Sequence, residues 1–571
     1  MSHHETLNLS DRIWNAKYRW RENDVYLDQS IEDSWHRIAH ALAAAGGDSD
    51  HESEFYSILE NFTFLPGGRI QAGAGTRHKV TLFNCFVMGT IEDSLAGIFD
   101  SLKEGAVTMQ QGGGVGYDFS TLRPYGIPAK GVGMIASGPV SFMKIWDSMC
   151  GTILSTGARR GAMMATLRVD HPDILTFVDA KRDASVLRHF NLSVLVTDAF
   201  MQKVRSDGNW TLVFPEKGKP FREVKARMLW ERIMRAAYDC AEPGVIFIDR
   251  VRNMDNLRYC ETISATNPCG EIPLPPYGAC DLGSINLTRF VRNPFTAKAE
   301  IDFEGIKRTA AVAVRMLDNV YDLSHFPLPR QREVATSSRR IGLGLTGLAD
   351  AFIMLGIRYG EDASFTAASD IMKAIKESAY EMSIELAAEK GPFPLFGSQY
   401  LNGEFIASLP EPIRQGIAKY GIRNSHLTAI APTGTISLLA GNISSGLEPV
   451  YAFEYERNIR QADGTIDAVP VSDYAYGLFG TSALPPTFVS VGDVHPEKQL
   501  LMQAALQKHV DNAISKTVNV PESHDFESFA SLYDKAYDLG LKGCTAFRPN
   551  PVTGQVLIEK AHCCSVEREA D

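Results

Sequence analysis

The sequence predicts an α/β fold of mostly parallel strands, preceded by a mainly helical N-terminal region. Strand-like apolar runs at 192–196, 210–214 and 245–248 alternate with long helical runs at 226–241, 303–323, 362–390 and 496–514, the order expected when helices connect parallel strands. Near the start, Trp35, Ile38, Ala39 and Leu42 fall on one helical face and the pattern stops at Gly46-Gly47. A third pattern is irregular yet apolar: Asn267-Pro-Cys-Gly-Glu271 continues through Ile-Pro-Leu-Pro-Pro-Tyr-Gly-Ala to Cys280-Asp-Leu-Gly-Ser-Ile-Asn-Leu287. Its four prolines exclude a regular helix, and its apolar residues argue against a solvated loop. A stiff, largely buried loop presenting Cys269 and Glu271 on one side is what remains. A buried loop must find partners for its backbone polar groups, so such loops often carry function.

Composition limits the classes of function. The 571 residues suffice for a sizeable core, and 44% hydrophobic with 22% charged residues is ordinary for a globular enzyme. A formal charge of -11 argues against a nucleic-acid scaffold and leaves room for a local basic pocket for phosphates. No apolar run approaches the roughly 18 residues that span a membrane. The opening MSHHETLNLSDRIW lacks a secretory signal pattern, so a cytoplasmic protein is expected. Nine cysteines in such a chain read as core residues, ligands or redox groups, not as a disulfide framework.

Beyond the N-terminal helices, Leu65-Pro-Gly-Gly-Arg69 opens a stretch too glycine-rich to be regular, and an apolar strand is expected over 80–88. Cys85 in that strand reads most simply as a core residue. Asp93-Ser94 caps a helix with the stripe Leu95, Ile98, Phe99, Leu102 and Ala106, ending in Gln110-Gln-Gly-Gly-Gly-Val-Gly116. A dinucleotide fingerprint follows a strand and opens a helix. These glycines follow a helix, so they point to a close backbone approach by another segment or a ligand.

A loop over 122–138 leads to a helix over 139–154 with Pro139 in its first turn. Arg159 and Arg160, in a glycine-flanked loop, can bind phosphate bidentately or form a solvated turn. At His426-Leu-Thr-Ala-Ile-Ala-Pro432-Thr-Gly-Thr-Ile-Ser437 an apolar strand enters a hydroxyl-rich turn. That turn suits a phosphate, or caps its own helix. The last core pieces are 515–521 and 543–549, and the tail carries Cys563 and Cys564.

In this order the segments resemble the catalytic subunit of ribonucleotide reductases, specifically the adenosylcobalamin-dependent class II enzymes. The resemblance runs from about Trp14 to Arg548. It rests on Phe83-Asn-Cys85, Asp93-Ser94-Leu95, Gly112-Gly-Gly-Val-Gly116 and Arg159-Arg-Gly-Ala-Met with Asp170-His-Pro-Asp173. It continues through Asn267-Pro-Cys-Gly-Glu271, Ala279-Cys-Asp-Leu-Gly-Ser-Ile-Asn-Leu287, Pro432 to Ser437, and Ser515-Lys-Thr. It implies a ten-stranded α/β barrel of two parallel five-stranded halves with a finger loop through its centre. The barrel would occupy 81–549, after a helical region over 1–80 and before a tail over 550–571.

The activity so implied is radical reduction of ribonucleotides to 2′-deoxyribonucleotides. Cys269, at the finger tip, would carry a thiyl radical, because S–H and ribose C–H bonds are similar in strength and hydrogen transfer runs both ways. Glu271 would take the 3′-OH proton and Asn267 would hold the neighbouring hydroxyl or carbonyl. Cys85 and Cys280 would deliver two electrons and become a disulfide. The substrate would sit on Asn84, with its phosphates on Thr433, Gly434, Thr435, Ile436 and Ser437. A deoxynucleoside triphosphate effector would use Asp93, Ser94, Leu95 and Arg123, with the Arg159-Arg160 loop relaying to the substrate. The implied cofactor is adenosylcobalamin, with no metal held directly by the protein. The implied partners are a thioredoxin-like reductant and a second copy forming a homodimer, and neither nucleic acid nor a membrane. Cys150, Cys240, Cys260 and Cys544 are left as core residues.

Three departures from the family pattern matter. There is no N-terminal ATP-cone, so overall control by ATP and dATP is not expected. Leu65-Pro-Gly-Gly-Arg69 replaces a Ser/Pro/Thr turn. The tail cysteines are adjacent, with Cα atoms about 3.8 Å apart where disulfides prefer roughly 4.4–6.8 Å. One tail thiol would then attack the Cys85–Cys280 disulfide alone, or a partner protein would do so. No tyrosine follows Tyr537 and no glycyl-radical signature is present, which favours a radical made in place. The dimer-type effector segment favours a diphosphate substrate. The rival readings are a class I-type large subunit fed by a metal-radical partner, a non-catalytic nucleotide-binding paralogue, and a thiol–disulfide or zinc protein. The last is disfavoured because no C-x-x-C pair occurs.

Overall fold

The computed structural model describes residues 9–23, 25–47, 49–127, 135–153, 161–183, 185–214, 219–460, 466–480, 483–550, 557–559 and 563–565. Its N-terminal region is helical, with α1 (Leu9–Lys17), α2 (Ile31–Ala45) and α3 (Glu52–Leu59). The Ser30 side chain accepts from the Asp33 N–H, and Asp33 reciprocates on the Ser30 N–H at 2.9 Å, a capping box that starts α2. The helix buries Trp35, Ile38, Ala39 and Leu42, the stripe its spacing predicts. It stops at Gly46, where a Cβ would lie 2.1 Å from Asn319 Cγ, so this glycine is also required for packing on the next domain.

Nine strands form the wall of that domain. β1 (Cys85–Val87), β2 (Gly114–Asp118), β3 (Met163–Arg168), β4 (Phe190–Val196) and β5 (Gly244–Phe247) pair in sequence and in parallel. β6 (Ala279–Asn286) pairs in parallel with β7 (Ile341–Thr346), as β8 (Thr517–Asn519) does with β9 (Gly543–Phe547). The extended segment 427–431 fills the gap between β7 and β8. Thr428 bridges Leu343 and Ile430 bridges Ile514, both in parallel, supported by Ala429 N–H to Leu343 O (3.1 Å) and Ser515 N–H to Ile430 O (2.9 Å). With that segment the wall closes into ten strands in two parallel halves. The halves meet at two antiparallel seams, β1 with β6 and β5 with β9. Strands buried on both faces favour apolar sequence; β4 comes close to this, while β6, buried throughout, carries Asp281, Ser284 and Asn286 among its apolar residues. The short strand Phe64–Pro66 pairs with β6 and ties the helical region to the barrel.

Helices α4 (Leu95–Gln110), α5 (Pro139–Thr152), α6 (Ala226–Cys240), α7 (Phe303–Leu323) and α8 (Asp362–Lys390) connect the strands. Three expectations need correction. The strand expected over 80–88 is only Cys85–Val87, because the N–H groups of Leu82 and Phe83 go to the Ser324 and Thr81 hydroxyls instead of a ladder. The helix expected over 496–514 ends at Gln507. The Asp511 carboxylate accepts from the N–H groups of Leu427 and Thr428, both at 2.8 Å, and this turns the chain into the barrel wall. The run at 210–214 pairs antiparallel with Lys219–Lys225 as an outer hairpin and takes no part in the wall. Among the described residues no helix is long and apolar enough to cross a membrane.

Candidate active site

The finger begins and ends as a narrow antiparallel pair, Ala265–Thr266 with Pro273–Leu274, and its tip is Asn267-Pro-Cys-Gly-Glu271. Gly270 takes φ +88°, a left-handed value that disfavours a side chain. The Asn267 carbonyl accepts from the Gly270 N–H (3.1 Å), while its side-chain Oδ1 accepts from the Ile272 N–H (3.0 Å) and the Thr266 hydroxyl (3.1 Å). The tip's backbone polar groups are thus met largely from within.

Both halves of the barrel grip this finger. Asn191 Nδ2, on β4, donates to Pro268 O at 2.8 Å, and the Ala513 N–H donates to Glu271 O at 2.9 Å from the opposite half. On β2, a Cβ on Gly116 would lie 1.9 Å from Thr266 O, and one on Gly114 would lie 3.2 Å from Pro268 Cγ. The glycine run therefore serves a close backbone approach, and the approaching segment is the finger.

At the tip, Asn267 Nδ2 donates to Glu271 Oε1 (2.8 Å) and lies 3.2 Å from Cys85 Sγ, while the Cys85 thiol is 3.7 Å from Glu271 Oε1. Cys280 stands opposite Cys85 across the β1–β6 seam. Asn84, Cys85, Asn267, Cys269 and Glu271 line one cavity of about 550 Å³. Cys269 is half-buried on its wall, Cys85 meets the cavity while nearly buried, and Cys280 is fully buried outside its lining. Burial, then the nearby Glu271, pushes the Cys85 thiol well above its usual range, and burial with Asp281 does the same to Cys280. Near neutral pH both remain protonated, able to give hydrogen and electrons but poor as nucleophiles.

The hydroxyl-rich turn reaches the same cavity through Thr433, Thr435 and Ile436. Gly434 and Ser437 line a separate cavity of about 40 Å³ behind it. The Thr433 hydroxyl bonds those of Thr346 (2.7 Å) and Ser437 (2.8 Å) and accepts from the Gly446 N–H (2.9 Å). These hydroxyls lock the turn's shape at the start of the short helix Gly434–Leu439.

Elsewhere, Arg123 Nε lies 2.8 Å from Asp93 Oδ2, and the Arg123 N–H donates to Asp93 Oδ1 at 3.1 Å. Ser94, not Asp93, is the N-cap of α4, accepting from the Gly97 N–H at 3.0 Å. The expected apolar stripe on α4 is only partly inside, since Leu95 is 66% and Phe99 49% exposed. Arg159 and Arg160 lie outside the described residues. Cys563 and Cys564 begin a strand, Cys563–Ser565, that pairs with Leu557–Glu559 and through it with Glu454–Arg460. Cys150, Cys240 and Cys544 are buried as expected, but Cys260 is exposed, between Tyr259 and Glu261 in a polar turn after Asn253.

One group of cavity residues was missed by sequence reasoning. Lys17, Tyr18 and Arg19 follow from α1 to the cavity wall, together with Arg69 from the Leu65-Pro-Gly-Gly-Arg69 segment. The available signal was the alternation of basic and aromatic residues in Lys17-Tyr-Arg-Trp-Arg21.

A family model described as "Ribonucleotide reductase, barrel domain" matches residues 83–547, and one described as "Ribonucleotide reductase, all-alpha domain" matches residues 8–79. The chain is 38% identical over 553 residues to a "Vitamin B12-dependent ribonucleoside-diphosphate reductase" of Mycobacterium tuberculosis (strain CDC 1551 / Oshkosh), covering 92% of this chain and 77% of that protein. It is 35% identical over 554 residues to a protein of the same name from Thermoplasma acidophilum, covering 93% and 69%. A "Ribonucleoside-diphosphate reductase subunit alpha" of Chlamydia pneumoniae is 26% identical over 628 residues, covering 96% of this chain and 59% of that one.

Proposed function

Because the chain belongs to the ribonucleotide reductase family, we propose that it reduces ribonucleoside diphosphates to 2′-deoxyribonucleoside diphosphates with adenosylcobalamin as radical source. The observation that carries the site assignment is the convergence of three thiols, a carboxylate and an amide at one finger tip. Cys269 opens onto the cavity, Cys85 touches it from a nearly buried position, and Cys280 lies behind Cys85.

When bound, adenosylcobalamin supplies a means of removing a hydrogen atom from a thiol, by homolysis of its cobalt–carbon bond. The donor set fits such a group: Cys269 is half-exposed, and the small residues Gly112, Gly113, Gly161 and Ala162 on the same cavity would hold a bulky ligand beside it. The Cys269 sulfur, as a radical, takes the C3′ hydrogen atom of the ribose. Glu271 accepts the 3′-OH proton, and Asn267, fixed by its bond to Glu271, orients the neighbouring oxygens. The 2′-OH leaves as water with a proton from the protonated Cys85–Cys280 pair. Two electrons from that pair reduce the sugar as its sulfurs join in a disulfide, the second thiol proton goes to C2′ as its new hydrogen, and Glu271 returns its proton to the 3′ oxygen. Cys269 then returns the hydrogen atom to C3′.

The rest of the reading follows the same family pattern. The Thr433 to Ser437 turn and Asn84 hold the substrate. Asp93, Ser94, Leu95 and Arg123, with Arg159 and Arg160, hold and relay a deoxynucleoside triphosphate effector. The protein acts as a cytoplasmic homodimer regenerated by a thioredoxin-like reductant or by Cys563 and Cys564. Residues 1–80, 81–549 and 550–571 serve as helical region, catalytic barrel and tail.

The test is a deoxynucleotide assay on the purified chain. Product should require adenosylcobalamin and a dithiol, with no iron- or manganese-loaded subunit added. Product formed without adenosylcobalamin, and only with a metal-loaded partner, would overturn this reading in favour of a class I-type subunit.

A further inference from the structure

The radical chemistry leaves one feature of the cavity unused: the wall from the N-terminal region is cationic. Lys17, Arg19, Arg21 and Arg69 line the cavity that holds Cys269, where Glu271 is the one lining carboxylate among the described residues. In a chain of formal charge -11, such a concave concentration of positive charge focuses the field and draws in anions.

Arg19 is held firmly. Its guanidinium stacks between the Trp14 ring (4.8 Å) and the Tyr26 ring (3.9 Å). Nε donates to Asp28 O and Nη1 to Asn15 Oδ1, both at 2.8 Å, while Nη2 makes no hydrogen bond among the described residues. Behind it, the buried Asp28 carboxylate accepts from the Ser34 hydroxyl (2.5 Å), Arg37 Nη2 (2.8 Å) and the Trp20 N–H (3.3 Å). Ser34 in turn accepts from Trp14 Nε1 at 2.9 Å. One buried carboxylate therefore fixes both the short hairpin in which Arg21–Glu22 pairs with Val25–Tyr26 and the helix that carries Trp14. The guanidinium is set in place before any ligand arrives, which lowers the entropic cost of binding.

We propose that the N-terminal region forms a phosphate-binding wall of the active cavity, with Arg19 as its fixed contact, separate from the Thr433 to Ser437 turn. The planar guanidinium suits phosphate oxygens better than an ammonium does. Two ligands of the reductase reading, on which this inference rests, carry such a group: the nucleotide substrate through its terminal phosphate, and the cobalamin cofactor through its phosphodiester.

Calorimetric titration of the full chain with cytidine diphosphate, with cytidine, and with adenosylcobalamin tests the wall. Arg19→Gln should weaken diphosphate or adenosylcobalamin binding about tenfold or more, the size of one charge-assisted hydrogen bond. Arg19→Lys should keep most of that affinity, and cytidine, lacking phosphate, should not distinguish the three proteins. The ligand that loses affinity identifies which phosphate the wall holds. Arg21→Gln, on the exposed hairpin, should give a smaller loss of the same sign, and melting curves verify that each variant is folded. Parent-like binding of both ligands by a folded Arg19→Gln variant would overturn the wall, as would equal losses in the Gln and Lys variants. A parent chain that binds no ribonucleotide would instead refute the reductase reading.

Discussion

Cys85 and Cys280 face each other in the antiparallel seam that joins the two halves of the barrel. Residues so paired have Cα atoms about 4.5–5.5 Å apart, inside the roughly 4.4–6.8 Å that a disulfide spans. Turnover without a reductant should leave one Cys85–Cys280 disulfide, found by peptide mass mapping and reversed by a dithiol. Finding both as free thiols after product has formed would contradict their role as electron donors.

The half-exposed Cys269 and the two enclosed thiols should fail differently when changed. Cys269→Ser should abolish all chemistry on the substrate. Cys85→Ser or Cys280→Ser should still activate the substrate but release base or breakdown products in place of the deoxynucleotide. Product analysis separates the two, and normal turnover by Cys269→Ser would sink the radical assignment.

Arg123 holds Asp93 by side chain and main chain together. In Arg123→Ala the dependence of base preference on added deoxynucleoside triphosphate should flatten while unstimulated turnover persists. Competition assays with mixed ribonucleotides, with and without effector, measure this. An unchanged effector response would mean that the effector binds elsewhere.

Gly116→Ala should push the finger out of place. The new Cβ would meet a backbone oxygen, Thr266 O, at 1.9 Å, and a backbone atom cannot swing aside. Overpacking of this kind costs about 1–3 kcal/mol, and a shift of about 1 Å at the reacting thiol lowers turnover about 100-fold. Gly477→Ala, where a Cβ meets nothing within 4 Å, is the matched control. Equal behaviour of the two variants in melting and turnover would show that the finger does not depend on this contact.

His426 should make the fold acid-sensitive. Burial, then the adjacent Arg340 guanidinium, lowers its pKa to about 3, against about 6.5 in the unfolded chain. As pH falls below about 6.5 the unfolded chain takes up a proton that the folded chain refuses. The folded state therefore loses stability from there down to about pH 3, by roughly 2 kcal/mol at pH 5. Urea midpoints at pH 7.5 and pH 5 measure the loss, and His426→Gln should reduce the difference. Equal midpoints for the parent would show that His426 is not held neutral.

What local sequence could reveal depended on where each signal is written. Helices α7 and α8 were legible to the residue because a long apolar period ends in local signals: Asp302 caps one, and Gly391 stops the other. The end of the helix at Gln507 was not, because what stops it is the Asp511 carboxylate bonding N–H groups some 80 residues away. The finger announced itself through its prolines, and Cys269, Glu271 and Asn267 do meet there. The pairing of Cys85 with Cys280 rested on family likeness, since register across 195 residues is not locally encoded. Cys260 was misplaced because one cysteine between Tyr259 and Glu261 has no period from which to read burial. The Arg19 wall was missed because Lys17-Tyr-Arg-Trp-Arg21 looks like an ordinary solvated segment until tertiary packing brings it to the cavity.

The cavity takes its walls from both sides of residue 80, with Arg19 and Arg69 on one side and Cys269 and Thr433 on the other. A cut there would divide the chain where two family segments meet, yet it would open the reaction chamber instead of freeing a module. Chimeras that exchange the helical segment alone between relatives would therefore graft a foreign wall onto a native finger. The two segments are separable as sequence and inseparable as a vessel, so they must vary together wherever they face the same ligand.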